Sequence, residues 1–192
     1  MTTETKAAAK PGPRERLLDA ARKLTYTQGV GVGVDAILKQ ADVARRSLYQ
    51  HFGGKDGLLV EVIRVAAAED EERYRVAIEA GGTDPRARIM SVFDVLTRIV
   101  SSPDFRGCRY IAADLALTDP DHPVHAETHA YRQWLHEILR AELEGLPHPH
   151  PDRAADELLF IVEGALISGA TRPEVDSGRI ARRLAERVLD AG

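Results

Sequence analysis

Arg45, Arg46, Ser47, Tyr49, Gln50 and His51 fall within seven consecutive positions interrupted only by Leu48, and Lys55 follows closely. These side-chain types suit nucleic acid. Arginine pairs two-pronged with guanine O6 and N7, glutamine matches adenine, and serine, tyrosine and histidine donate to phosphate oxygens. In a helix, Leu48 and Phe52 lie four apart and pack inward with Val43, which leaves the polar residues facing out. Lys55 would open the next helix, where its charge and the free backbone N–H groups hold one phosphate together. Arg14 and Lys10, in or beside an N-terminal arm, are within reach of a neighbouring groove or backbone.

A second cluster points to other chemistry. His122, His125, His129 and His136 recur at helical spacing, with Asp121 and Glu127 nearby. Such a stripe suits Zn²⁺ or Ni²⁺, and Glu127 could serve as base in metal-assisted hydrolysis. The plainer reading puts His122 in a loop and the others on a half-exposed polar face. We adopt it, and expect no metal and no cofactor, with His122, His125 and His129 as the weak candidates. Cys108 stands alone, so no intrachain disulfide forms, and it reads as a small buried hydrophobe before a redox sensor. No glycine-rich phosphate loop or nucleophile motif supports an enzyme.

Charge supports the nucleic-acid reading. The net charge is −4, but residues 1–55 hold ten Lys/Arg against five Asp/Glu, a local +5, and the remainder carries −9. A basic end on an acidic body is the charge map of a DNA-binding module joined to a partner that avoids DNA. With 44% apolar residues the chain has material for a sizeable core. The absence of a signal-like or membrane-length apolar run predicts a cytoplasmic protein with no membrane partner.

Nearly every segment has helical periodicity, which predicts an all-α fold of about nine helices, three short ones before six longer. Leu17, Ala20, Ala21 and Leu24 form one face of a first helix, stopped by residues 28–33; Val34, Ile37, Leu38 and Ala41 define a second. After a tight Asp42-Val43 turn, Ala44 to His51 forms the third, and Gly53-Gly54 ends it. A long helix runs from Lys55 towards Ile78, and Asp84-Pro85 opens the next. Further helices fall between Asp104 and Thr118, from Pro123 to Leu143, from Asp152 to Thr171, and from an Asp176 or Ser177 cap through Ile180, Leu184 and Val188. A short helix, tight turn and second short helix is the helix-turn-helix geometry.

The run from Val34 to Leu59, and above all Leu48-Tyr49-x-His51-Phe52-x-x-Lys55-x-x-Leu58, resembles the DNA-binding domain of the TetR (tetracycline repressor) family, as does the leading segment Arg14–Ala21. The resemblance implies phosphate contacts from Tyr49, His51 and Lys55, and base-edge positions for Arg45, Arg46, Ser47 and Gln50. Three positions depart from the family pattern. Gly33 replaces a capping Thr or Ser and offers only its backbone N–H, Asp42 replaces the turn glycine, and Ala44 replaces the recognition-helix cap.

The resemblance also divides the chain into an arm at 1–13, a helix-turn-helix domain at 14–60, and a ligand-binding and dimerisation domain at 61–192. Within the last, Arg106-Gly107-Cys108 and the run from Asp119 to Pro123 are similar to one subgroup of the family. Small residues on an almost wholly apolar segment suggest a dimer surface of Leu158, Ile161, Gly164, Ala165, Ser168 and Gly169, joined by the last helix. A pocket for a small-molecule effector is expected among Phe93, Leu96, Thr97, Val100, Tyr110, Ile111, Tyr131, Trp134 and Ile138. The expected function is a ligand-released repressor binding a near-palindromic DNA operator as a homodimer. The competing readings are a metal-assisted hydrolase and a DNA-binding protein whose acidic part recruits another protein.

Overall fold

The computed structural model describes residues 11–191. Among these there are nine helices and no strand: α1 (Pro13–Gln28), α2 (Val34–Ala41), α3 (Arg45–Phe52), α4 (Lys55–Ala80), α5 (Pro85–Val100), α6 (Arg109–Ala116), α7 (Val124–Leu143), α8 (Pro151–Thr171) and α9 (Ser177–Asp190). Two compact units emerge, one ending at Val62 and the other starting at Ile63, so α4 belongs to both. The expected arm lies mostly outside the described residues. Pro13 proves to be the first residue of α1, where a missing N–H costs nothing.

In the first unit, α1 buries Leu17, Leu18, Ala20, Ala21 and Leu24, and α2 buries Ile37, Leu38 and Ala41. Val30 and Val32, between glycines in the connecting loop, are buried as well. Leu48 from α3 and Leu58 and Leu59 from α4 complete the core. Asp42 turns the chain between α2 and α3 at φ 53°, and its N–H bonds to the carbonyls of Leu38 and Lys39. Aspartate tolerates this left-handed conformation better than most residues with a Cβ, which is why the turn survives without glycine.

The corner between α3 and α4 is tighter. Gly53 takes φ 73° and closes α3 by donating to the Tyr49 carbonyl. Gly57 then passes so close to Phe52 that an added Cβ would lie 1.9 Å from its carbonyl oxygen. No L-residue with a side chain fits there without moving one helix.

The core of the second unit is built by α5, α7, α8 and α9 with the later part of α4, around Tyr74, Phe93, Leu96, Leu139 and Leu158. Asp84 caps α5 by accepting from the N–H groups of Arg86 and Ala87, and Asp176 caps α9 through Arg179 N–H. Arg88 grips Glu142 with two 2.7 Å bonds, tying α5 to α7. Tyr110 donates to Asp70 at 2.7 Å, tying α6 to α4, and Arg64 pairs with Glu127 on α7 at 2.5 Å. The helix expected between Asp104 and Thr118 is shorter than that spacing allows. Gly107 sits at φ 109° with its Cα against Ala170, so the chain is not helical before Arg109.

One polar network joins α6, α7 and α8. Asp114 accepts from Thr128 at 2.7 Å, from Arg132 at 2.5 Å and from His125 Nδ1 at 2.8 Å, and Arg132 reaches Glu163 at 3.0 Å. His125 Nε2 lies 3.1 Å from the Asp119 carbonyl. Both ring nitrogens thus face acceptors, an arrangement fully satisfied only by the imidazolium. The Asp114 hydrogen bond is the main cause that raises the His125 pKa. Burial pushes the Asp114 carboxyl up, but hydrogen bonds from Thr128, His125 and Arg132 outweigh it and hold the carboxyl below the usual range.

Two outcomes follow. Helix propensity alone favours alanine over glycine by about 1 kcal/mol. Gly57→Ala should nevertheless destabilise by about 1–3 kcal/mol, because the new methyl overpacks the corner; chemical denaturation measures it, and a stabilised variant would contradict the close approach. For His125, whose folded pKa is raised, the stabilisation is complete below the ordinary value of 6.5 and is lost as pH rises through the raised value. The Tm gap between wild type and His125→Phe should therefore be widest at acid pH and shrink on the alkaline side. A gap independent of pH would contradict the charged arrangement.

Candidate nucleic-acid interface

The inward face of α3 is Leu48, which is fully covered, with half-buried Ser47 and Phe52 beside it. Arg45, Arg46, Tyr49, Gln50 and His51 are exposed together, and Tyr49 keeps 57% of its surface although it is a large aromatic. An exposed tyrosine flanked by cations on a short helix can donate its hydroxyl to a phosphate. Lys55 is the first residue of α4, beside backbone N–H groups that have no partner within that helix. Basic side chains and a helix N-terminus therefore sit on neighbouring elements.

Local structure explains each position. Gly33 and Ala44 occupy the N-cap positions of α2 and α3 in extended conformation, and neither supplies a side-chain cap. The first N–H groups of both helices are thus left for another acceptor such as phosphate or water. Arg14 lies in the first turn of α1. Its guanidinium pairs with Glu61 at 2.5 Å and stands 5.4 Å from the Phe52 ring centre, which ties α1 to α3 and α4. Lys10 lies outside the described residues. Two acidic partners escaped the sequence reading: Glu61, and Asp35, which pairs with Arg45 at 2.5 Å. Long-range ion pairs leave no periodic signal.

The histidine stripe does not assemble. Among the described residues no group of three potential metal ligands converges. His125 is committed to Asp114 and Asp119, His122 Nδ1 accepts from the Val124 N–H, and His136 pairs with Asp156 at 3.1 Å, while His129 is exposed. Two of the four are instead drawn to different elements, His125 to Asp114 on α6 and His136 to Asp156 on α8. Cys108 is half-buried at the N-cap of α6, and burial pushes its thiol pKa up, which lowers its nucleophilic fraction.

The proposed dimer residues divide. Leu158 and Ala165 are buried in the chain's own core, because Leu158, Val162 and Ala165 form the inward stripe of α8. Gly169 permits close approach, but by Phe105, Val100 and Ser177 of the same chain. Ile161, Gly164 and Ser168 instead line a groove with Phe160, Ile180 and Leu184. Phe160 is 77% exposed, with Ile167, Ile180 and Leu184 open beside it. On α9 the inward stripe is Ala181, Ala185 and Leu189, so Ile180 and Leu184 point away from the core. Alanines on the opposite face of that helix were the missed signal.

The pocket candidates also scatter. Phe93 and Leu96 are fully packed core, and Ile138 lies on its margin. Thr97 bonds back to the Phe93 carbonyl and presses against Gly178, where α5 crosses α9. Val100 lines a shallow groove near Phe105 and Ser177, and Ile111 is half-buried. Tyr110, Tyr131 and Trp134 do come together. Tyr110 and Tyr131 stack at 4.0 Å and Tyr131 and Trp134 at 6.3 Å, and burial pushes both tyrosine pKa values up, so both stay neutral.

Known proteins carry the same architecture. Residues 17–62 match the family described as "Bacterial regulatory proteins, tetR family". A TetR-family transcriptional regulator from Streptomyces coelicolor is 30% identical, with a TM-score of 0.82 over 93% of this chain and 94% of that one. A TetR-type regulator from Streptomyces avermitilis is 35% identical, with a TM-score of 0.80 over 94% and 98%. The HTH-type transcriptional regulator YjdC of Escherichia coli is 24% identical over 92% of this chain and 93% of its own. Matched along nearly its whole length, and carrying the exposed basic face of α3 on a packed helical unit, the chain belongs to the TetR family of transcriptional regulators.

Proposed function

We propose that the protein is a cytoplasmic repressor that binds a near-palindromic operator as a homodimer and is released by a small-molecule effector. The observation that carries the reading is α3 itself: one covered leucine, and five polar or basic residues exposed side by side. In this account Arg45, Arg46, Ser47 and Gln50 lie at base edges, Tyr49, His51 and Lys55 hold phosphates, and Gly33 offers one by its N–H. A helix of eight residues reads too few base pairs to act alone. Two copies placed about 34 Å apart would read successive major grooves, and joining them raises the effective concentration of the second.

The apolar face of α8 and α9 supports the dimer. Phe160, Ile167, Ile180 and Leu184 are too many large apolar side chains to leave in water together. In a two-fold interface each is covered twice, and burying a phenylalanine contributes about 1.5–3 kcal/mol per copy. The acidic second unit then holds the effector, near Tyr110, Tyr131 and Trp134, the pocket candidates that pack together. Through α4, the covalent path from Ile63 onward back to Lys55, effector binding would change the spacing of the two α3 helices.

Binding measurements separate these roles. Tyr49→Phe and Lys55→Ala should weaken binding to every duplex about equally, whereas Arg46→Ala should flatten the preference at one base pair per half-site. If all three bind a matched operator as tightly as wild type, the assignment of α3 fails. For the dimer, Phe160→Glu with Leu184→Glu should give a folded monomer by light scattering and lose operator binding at concentrations that saturate wild type. A dimer unaffected by both charges would place the interface elsewhere.

A further inference from the structure

Asp35 is 88% exposed, and its carboxylate lies 2.5 Å from Nη2 of Arg45, whose side chain is 52% exposed. The pair joins the first turn of α2 to the first residue of α3. A solvated ion pair of this kind adds little to stability, on the order of 0–1 kcal/mol. A carboxylate beside the basic face also repels phosphate, so by charge alone it weakens DNA binding. Its geometry suggests a different use.

We propose that Asp35 is a specificity-determining positioning residue, holding the Arg45 guanidinium ready to read guanine. The inference rests on the reading above that Arg45 meets a base edge. A guanidinium carries five N–H groups, and one bond from Nη2 to Asp35 leaves four: the second Nη2 hydrogen, both on Nη1 and the one on Nε. A two-point contact with guanine O6 and N7 therefore remains available while Asp35 holds the side chain. Free arginine loses substantial rotamer entropy on docking, and a partner that orders it beforehand removes part of that loss. Lys39 on α2 and Arg46 on α3 are the other Lys or Arg residues on these two short helices, and among the described residues Asp35 pairs with Arg45.

The structural alternative is that Asp35 only satisfies the positive end of α2, which lacks a side-chain cap. Base preference distinguishes the two, because a helix-end charge does not alter it. The experiment is selection from a randomised duplex library at fixed salt by the full-length wild type, Asp35→Asn, Arg45→Ala and the double variant. Asp35→Asn keeps the shape of an exposed side chain, and circular dichroism checks its fold. Wild type should prefer guanine at one position per half-site, and Arg45→Ala should flatten that position. Asp35→Asn should lower the same preference by about tenfold, within what one two-point contact supplies, while binding random duplex more tightly. In the Arg45→Ala background Asp35→Asn should change no preference. If Asp35→Asn tightens all sequences equally and leaves guanine as preferred as before, Asp35 is only a repelling charge and the inference falls. If Arg45→Ala itself flattens no position, the base-reading role of Arg45 fails first and takes the inference with it.

Discussion

The corner where α3 turns into α4 is the constraint on which the DNA-facing unit depends. Phe52 ends α3 with its ring under the Arg14 guanidinium and its carbonyl against Gly57. Gly53 and Gly54 take positive φ to make the reversal, and Leu58 N–H bonds back to the Gly54 carbonyl at 3.2 Å. Because Gly57 has no Cβ, α4 leaves at one angle, and Lys55 arrives beside the exposed face of α3. Arg14 and Glu61 then lock the corner from outside. Every phosphate contact attributed to Lys55 assumes this geometry.

Much of that unit was legible from residue types. Leu48 and Phe52 four apart named the inward face, and Arg45, Arg46, Tyr49, Gln50 and His51 are exposed as expected, whereas Ser47 is half-buried. Asp42 was readable as a left-handed turn residue because aspartate adopts that conformation at modest cost. Gly57 was not, since a glycine inside a helix has no local signature when the clash it avoids is with the preceding helix. The contacts of Arg14 were hidden for a related reason. Its partners, Glu61 and the Phe52 ring, are far along the chain, and only the fold brings them together.

The second unit shows the same limit more strongly. Apolar periodicity located α5, α7, α8 and α9, but a helix covered on more than one side has no single stripe, so α8 was readable as buried and not as to which face meets what. Leu158 and Ala165 face the chain's own core, and Phe160 and Ile167 face away. On α9 small alanines fill the tight inward contacts and the larger Ile180 and Leu184 point out, the reverse of what size suggests. The histidines show that spacing on one helix does not make a ligand set: Asp114 and Asp156 draw two of them to different neighbours.

The central claim is that two copies of α3 recognise a specific two-fold sequence. Selection of bound fragments from genomic DNA of the source organism, by the purified protein at physiological salt, tests it most directly. The account predicts a short inverted repeat whose half-sites are centred about one helical turn apart. Weak retention of unrelated fragments, falling steeply with salt and sharing no repeat, would contradict it and leave the basic unit as a non-specific electrostatic surface.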